Sequence, residues 1–281
     1  MRDYCAFVLG IGAALFSPQG NRCGRIAMRV VVLGSGTSAG VPTLGCRCSV
    51  CTSSDYRNRR MRAAIYIEHE GLRLLVDCGP DFRTQALSNG IHDLDALLLT
   101  HTHSDHVNGL DDLRAYNMIH KHPIDVYASA PALDDIRTRF AYCFQPPPVG
   151  GGIPELHLKE IQPGKPQRIG PLEVLPLGVM HGRAPILAFR FGPFAYLTDV
   201  SAVPEETVAA LQGVQVLITS ALRHRPHPTH MSLGEALELT ERIRPRRTWF
   251  THMSHDLEHA ATNAQLPPGI QLAYDGLSFE A

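Results

Sequence analysis

Residues 97–110, LLLTHTHSDHVNGL, place His101, His103, Asp105 and His106 within six positions directly behind an apolar run. Neutral imidazoles and a carboxylate gain little from one another side by side, whereas a shared cation explains the grouping. In an extended segment, side chains two apart point the same way, so His101 and His103 converge on one point. The chain then turns into a helix, and Asp105 and His106 at that turn face a second point beside the first. A helix N-terminus with its free N–H groups suits the carboxylate. Two adjacent half-sites need more donors. His181, Asp199 and His252 each stand at the end of a predicted strand, the position from which a rigid scaffold aims functional side chains.

A second grouping is CRCSVC, a C-x-C-x-x-C run of Cys46, Cys48 and Cys51. Three thiolates suit Zn²⁺, with a fourth ligand, His or Cys, from elsewhere in the chain. The remaining cysteines (Cys5, Cys23, Cys78, Cys143) are scattered, which is no disulfide framework and points to a reducing, cytoplasmic setting. Eleven of the fifteen histidines cluster at 101–106, 120–122, 224–230 and 252–259. In DDLRAYN, on the helix expected to follow the first motif, Arg114 or Asn117 is placed to reach a terminal phosphate.

Eleven strand-like runs position these residues: 29–34, 63–68, 72–77, 94–100, 124–128, 172–177, 186–191, 194–199, 214–219, 247–251 and 270–275. Helices are expected over 81–89, 106–119, 131–143, 204–212, 232–243 and 254–265, the fifth opening on a capping box of Ser232 and Glu235. Strands come in consecutive runs rather than in regular βαβ alternation. That predicts an α/β protein of two mixed β-sheets packed face to face with helices outside. GSGTSAG at 34–40 lacks the G-x-G-x-x-G spacing and runs into Pro42 and the cysteines, so it is no dinucleotide fingerprint. The Pro/Gly-rich stretch 144–154 reads as a surface connection, mobile over a site.

With 281 residues, 44% of them hydrophobic, and a net charge of −1, the chain can bury a substantial core and has no broad basic surface for a long nucleic acid. Residues 1–27 carry a short apolar run, CAFVLGIGAALF, too short to cross a bilayer. They read as an N-terminal extension outside the fold, and MRVVVLGSG at Met28 reads as the start of one folded domain over 28–281.

THTHSDHVNGL, preceded by VDCG and followed by a lone His, YLTD and FTHMSHD, resembles the metallo-β-lactamase superfamily over about residues 28–275. The resemblance implies an αβ/βα four-layer sandwich with two metals at one edge. It implies that His101, His103 and His181 hold the first metal, that Asp105, His106 and His252 hold the second, and that Asp199 bridges. Asp77 then matches an aspartate that orients a ligand histidine. The cysteine loop after the first strand, with His255 three residues beyond His252, is similar to the phosphoribosyl cyclic phosphate phosphodiesterases of the carbon–phosphorus lyase pathway. His255 would complete a structural zinc site. A related branch, the pyrroloquinoline-quinone biosynthesis proteins, shares the cysteine loop. The phosphodiesterase branches, including tRNA 3′-processing endonucleases, place a non-ligand histidine in HPTHMSLGEAL as general acid on the leaving oxygen. His230 matches it, and His227 is the alternative.

The resemblance implies a phosphodiesterase in which a water activated by two metals, Zn or Mn, attacks phosphorus while His230 protonates the departing oxygen. Asp105 serves the second metal and the chemistry together. The long basic arm of the tRNA-processing branch is absent, so the expected substrate is a small, possibly cyclic, ribose phosphodiester. No membrane is expected as a partner, and a homodimer is the expected assembly. The alternatives are a thiolester or lactone hydrolase, or a cofactor-biosynthesis protein, on the same scaffold.

Overall fold

The computed structural model describes residues 28–146 and 152–281. The N-terminal extension and the middle of the Pro/Gly-rich stretch, residues 147–151, lie outside the described residues. Fourteen strands form two seven-stranded sheets among these residues. The first sheet holds β1 (Arg29–Gly34), β2 (Ala64–His69), β3 (Leu72–Val76), β4 (Ala96–Leu98), β5 (Ile124–Ala128) and β6 (Leu156–Glu160) in sequential order. The second holds β7 (Gln167–Ile169), β8 (Leu172–His181), β9 (Ala184–Phe191), β10 (Phe194–Leu197), β11 (Val216–Ser220), β12 (Arg247–Thr251) and β13 (Ile270–Leu272). The last strand, β14 (Ser278–Glu280), returns to pair with β1 at the outer edge of the first sheet.

Each sheet is half antiparallel and half parallel. β1, β2 and β3 are antiparallel neighbours, while β3, β4, β5 and β6 run parallel. β7 to β10 are antiparallel neighbours, while β10, β11, β12 and β13 run parallel. The parallel strands need crossovers, which the helices supply: α1 (Phe82–Asn89) between β3 and β4, α5 (Glu205–Ala210) between β10 and β11, and α6 (Leu233–Ile243) between β11 and β12.

Three apolar layers account for the two-sided burial of both sheets. The middle layer joins Val30, Ile65, Leu74 and Leu98 of the first sheet to Leu187, Phe189, Tyr196 and Ile218 of the second. An outer layer packs Phe82, Leu110, Leu113 and Ile136 under the first sheet. The other outer layer packs Val208, Ala236, Leu239 and Ile243 under the second. Helix, sheet, sheet, helix is therefore the layer order, the four-layer αβ/βα sandwich that the strand runs and the family resemblance predict. The capping box at Ser232 is present in full: its side chain accepts from Glu235 N–H, and the Glu235 carboxylate accepts from Ser232 N–H at 2.7 Å.

The helix expected over 106–119 is instead three short pieces: α2 (Ser104–Val107), a 3₁₀ turn over Leu110–Leu113, and α3 (Arg114–His120). The break falls at Asn108–Gly109. Gly109 N–H donates to Cys78 O at 2.9 Å, and a Cβ on Gly109 would lie 2.1 Å from Gly79 O. The backbones approach too closely there for a side chain. The remaining helices are α4 (Ala130–Arg139) and α7 (His259–Asn263). No helix among the described residues is long and apolar enough to cross a membrane.

Candidate metal centre

The donor groups meet at one edge of the sandwich, where parallel strands end. His101 follows β4, His181 ends β8, Asp199 follows β10 and His252 follows β12. Asp77, Asp199 and His252 all have positive φ, 64°, 59° and 57°. Left-handed backbone costs a non-glycine residue about 1–2 kcal/mol. Such strain persists where surrounding structure enforces it and gathers at functional sites.

Two donor sets stand side by side. The ligand atoms of His101, His103 and His181 lie within 4.8 Å of one another, and so do those of Asp105, His106, Asp199 and His252. Asp199 also lies within that distance of His181 and His230. It is thus the one carboxylate reaching both sets, which is the geometry a bridging ligand requires.

Hydrogen bonds fix which ring nitrogen faces the centre. His106 donates from Nδ1 to Asp77 Oδ2 at 2.8 Å, so its lone pair is on Nε2. Thr100 Oγ1 donates to Asp77 Oδ2 at 2.9 Å and accepts from His101 Nδ1 at 3.0 Å, so His101 also turns Nε2 inward. His101 Nε2 then sits 3.0 Å from His103 Nδ1. His181 donates from Nδ1 to the Thr229 carbonyl at 2.7 Å, leaving its Nε2 as a lone pair. Buried Nε2 atoms of His106 and His252 have no hydrogen-bond partner. Buried lone pairs without donors are costly, and a cation satisfies them. The residues therefore fit a pair of divalent metals.

Charge follows the same pattern. Although burial pushes upward, His252 and His106 hold the Asp199 carboxyl well below the usual range. Burial pushes the Asp105 carboxyl up as well, but the neighbouring His106 and His252 rings outweigh it and hold it low. Burial and the neighbouring His106 hold His101 well down, in the neutral form a metal requires.

The cysteine loop forms a separate set with His255. His255 Nδ1 lies 3.2, 3.6 and 3.3 Å from the sulfurs of Cys46, Cys48 and Cys51. Such separations suit three sulfurs and one nitrogen around one tetrahedral zinc. The Cys51 N–H, bonded to Cys48 Sγ at 3.4 Å, draws the Cys48 thiol down to about 6, while burial pushes Cys51 up. Arg60 ties this loop to the segment that carries His252 and His255. Its wholly buried guanidinium donates to Ser254 O at 2.8 Å and Leu257 O at 2.6 Å, and its backbone pairs with Val41.

The general-acid candidate His230 lies against the metal sets. Its ring stacks on His252 at 4.8 Å and approaches His181 at 4.6 Å, with Nδ1 3.7 Å from Asp199 Oδ1. His227 stands one ring farther out, 5.1 Å from His230. Asn117 corrects the sequence expectation. It is buried, donating to the carbonyls of His122 and Glu155 and accepting from Glu155 N–H, so its amide is spent on the fold. Arg114 is exposed and pairs with Asp111 at 3.4 Å, and nothing in the structure brings it to the donor sets.

Several contributors were not singled out from sequence: Thr100, Thr229, Arg60 and Gly79. A Cβ on Gly79 would meet the Asp105 carbonyl at 2.0 Å. Its signal is the CGP triplet following VD, a turn that must pass close beneath the metal helix. A cavity of about 1310 Å³ is lined by Met28, Phe191, Gln215 and Arg247, at the starts of the parallel strands and away from the donor residues. The convergent donors stand at the opposite edge.

Fold and donor sets together define a metallo-hydrolase of the β-lactamase superfamily, and the chain belongs to it: the model of the β-lactamase superfamily domain matches residues 72–253. Among its relatives is a member of the PhnP family. The chain is similar to the crystal structure of a diphosphatase from that family, with 40% identity, a TM-score of 0.85, and 91% of this chain and 97% of that chain covered. It is also 43% identical, over 256 residues, to an octanoyltransferase of Porphyromonas gingivalis. That match takes in 89% of this chain and 51% of that protein, so the chain spans about half the length of that curated relative. Zinc-bound PqqB of Methylobacterium extorquens shares the fold at 21% identity, with a TM-score of 0.74, covering 90% of this chain and all of that one.

Proposed function

We propose that this hydrolase is a two-metal phosphodiesterase for a small phosphoric diester, with a cyclic ribose phosphate as the model substrate. The reading is carried by His230. His181 and Asp199 belong to the two donor sets, which leaves His230 as a partly exposed imidazole beside them whose buried Nδ1 has no hydrogen-bond partner. That is the position for delivering a proton to an oxygen leaving from the centre.

Asp105, His106, Asp199 and His252 would hold one metal, and His101, His103 and His181 the other, with Asp199 shared. When bound, the pair supplies Lewis acidity to the phosphoryl oxygens and makes water a nucleophile at neutral pH. Mixed nitrogen and oxygen donors suit Zn²⁺ or Mn²⁺, and the sulfur-rich set suits Zn²⁺. Asp77 and Thr100 keep His106 and His101 in the ligating tautomer. In the free chain, burial and the nearby His252 hold His230 down to about 3. An anionic phosphoryl group at its face acts in the opposite direction, favouring the protonated ring that the acid role needs.

The test combines metal analysis with an assay on one preparation. About three metals per chain, with chelator-sensitive turnover of bis(p-nitrophenyl) phosphate, are the expected outcome. A second reading, chemistry at an acyl thiolester, draws on the 43% identity to part of an octanoyltransferase. Metal-dependent turnover of octanoyl thiolesters or lactones, with none of phosphodiesters, would replace the first reading with this one.

A further inference from the structure

We propose that Cys48 and Cys51 form an oxidation site, which a small hydroperoxide converts to a disulfide, taking apart the donor set that the cysteine loop makes with His255. This goes beyond the reaction proposed above and rests only on the metal assigned there to the sulfur-rich set. The three sulfurs and His255 Nδ1 lie within 4.8 Å of one another, so a short side-chain movement brings two sulfurs into bonding range. The other thiols of the described residues, Cys78 and Cys143, are buried in the outer layer under the first sheet.

Access and local geometry select the pair. Cys46 and Cys48 are half-buried beside exposed Arg47 and Ser49, whereas Cys51 is buried. Sulfurs in a metal set are thiolates, and the thiolate is the form that attacks a peroxide. The Thr52 N–H and hydroxyl both donate to Cys48 O, at 3.0 and 2.9 Å, closing a helical turn that sets Cys51 on the same face as Cys48. Within that turn the Cys51 N–H points at Cys48 Sγ, at 3.4 Å. Cys46 stands outside the turn with one residue between it and Cys48, and a bridge there closes a smaller, more strained ring. Cys48 is therefore the sulfur that attacks, and Cys51 the one that resolves.

The Cys48 thiolate bonds to one peroxide oxygen as the O–O bond breaks, leaving a sulfenic acid and hydroxide. The Cys51 thiolate then attacks the Cys48 sulfur, the S–S bond forms and the S–O bond breaks, releasing a second hydroxide. Two electrons pass from the sulfurs to the peroxide, and two protons from solvent turn both hydroxides into water. Cys46 and His255 are then the only free donors, too few for a tetrahedral set. The loop's own core of Val41, Val50 and Cys51 is slight, so the loop loosens. The turn that carries His252 keeps the bonds from Arg60 to Ser254 O and Leu257 O, so the His/Asp sets stay loaded.

The test treats the metal-loaded protein with hydrogen peroxide and follows metal release with a colorimetric chelator, intact mass, disulfide mapping and Tm. One metal equivalent should leave in step with the loss of two hydrogens. The bridge should map to Cys48 and Cys51, with Cys5 and Cys23 unlinked. Tm should fall to the value for Cys48→Ala, and dithiothreitol with added zinc should restore it. In Cys51→Ser, dimedone should trap a sulfenic acid at Cys48, and in Cys48→Ser none at Cys51. The wild-type map stands however either variant folds. Metal retained in excess peroxide, or a bridge mapped to Cys46, overturns the proposal. A Cys48–Cys51 bridge in a protein that binds no metal at the loop overturns the metal assignment and leaves the oxidation site standing.

Discussion

Asp77 accepts a hydrogen bond from His106 Nδ1 at 2.8 Å, with both side chains wholly buried, and the same carboxylate reaches His101 through the Thr100 hydroxyl. One aspartate thus sets the tautomer of a histidine in each donor set. Asp77→Asn keeps an oxygen for the Thr100 N–H but can turn an amide N–H toward His106, which then protonates on the metal-facing Nε2. The expected result is a folded protein whose metal affinity at the His/Asp sets falls about 10–100-fold. Chelator competition with metal analysis measures it, and unchanged affinity would remove Asp77 from the centre.

Cys48→Ala removes one sulfur from the set completed by His255. One zinc equivalent should be lost and Tm should drop, while the His/Asp sets still load. The thermal effect should exceed that of an ordinary surface substitution, because the loop's small core of Val41, Val50 and Cys51 is too slight to hold it alone. An unchanged zinc count contradicts a metal at the cysteine loop.

Gly79→Ala tests the close approach beneath α2. The added methyl would meet the Asp105 carbonyl at 2.0 Å, and both partners are backbone, so one must move. A loss of about 2 kcal/mol or more is expected in denaturant unfolding, with weakened metal binding at Asp105 and His106.

Local spacing explains why most of this centre could be read from sequence. His101, His103, Asp105 and His106 declare themselves because strand and helix periods place them without any tertiary knowledge. The strand runs were equally plain: RTWFT and IDVYA coincide with β12 and β5. The edge strands β6, β7 and β14 were missed, since LHLKE, QRI and SFE are short and mixed in polarity. Thr100 and Thr229 act through a hydroxyl and a carbonyl, groups common to many loops, and only the folded geometry selects them. Arg60 stands in the run RNRRMR, which reads as solvated surface. Its burial depends on carbonyls nearly two hundred residues away. Asn117 was misread for a related reason: an unbroken helix would have kept its phase with His106, and the break at Gly109 changes it.

Asp275 offers a pH-dependent prediction. It is half-buried, accepts from Ser35 N–H and Oγ and from Met61 N–H, and desolvation raises its carboxyl to about 7. A carboxyl raised in the folded state binds more protons there than in the unfolded chain. Its stabilising contribution is therefore full below pH about 4 and is lost as pH rises toward 7. Asp275→Asn should flatten this part of the stability profile. It should also cost about 1–3 kcal/mol, because an amide N–H would oppose the Met61 N–H. Urea unfolding at pH 4.5 and 7.5 measures both effects, and parallel profiles for the two proteins would contradict the assignment.

His230→Ala separates the acid from the ligands. The His230 ring touches His252 and His181, yet each of those belongs to a donor set complete without it. Metal content should therefore stay at the wild-type value while turnover of an alkyl diester falls about 10²–10⁴-fold, the usual worth of a positioned acid. The loss should be much smaller for a p-nitrophenyl diester, whose leaving group departs as a stable anion and needs little proton donation. A drop in metal content would make His230 a ligand. Equal losses on both diesters would mean that it positions substrate, and the proton would have to come from another group. His227, one ring farther along the same row, is the next residue to substitute.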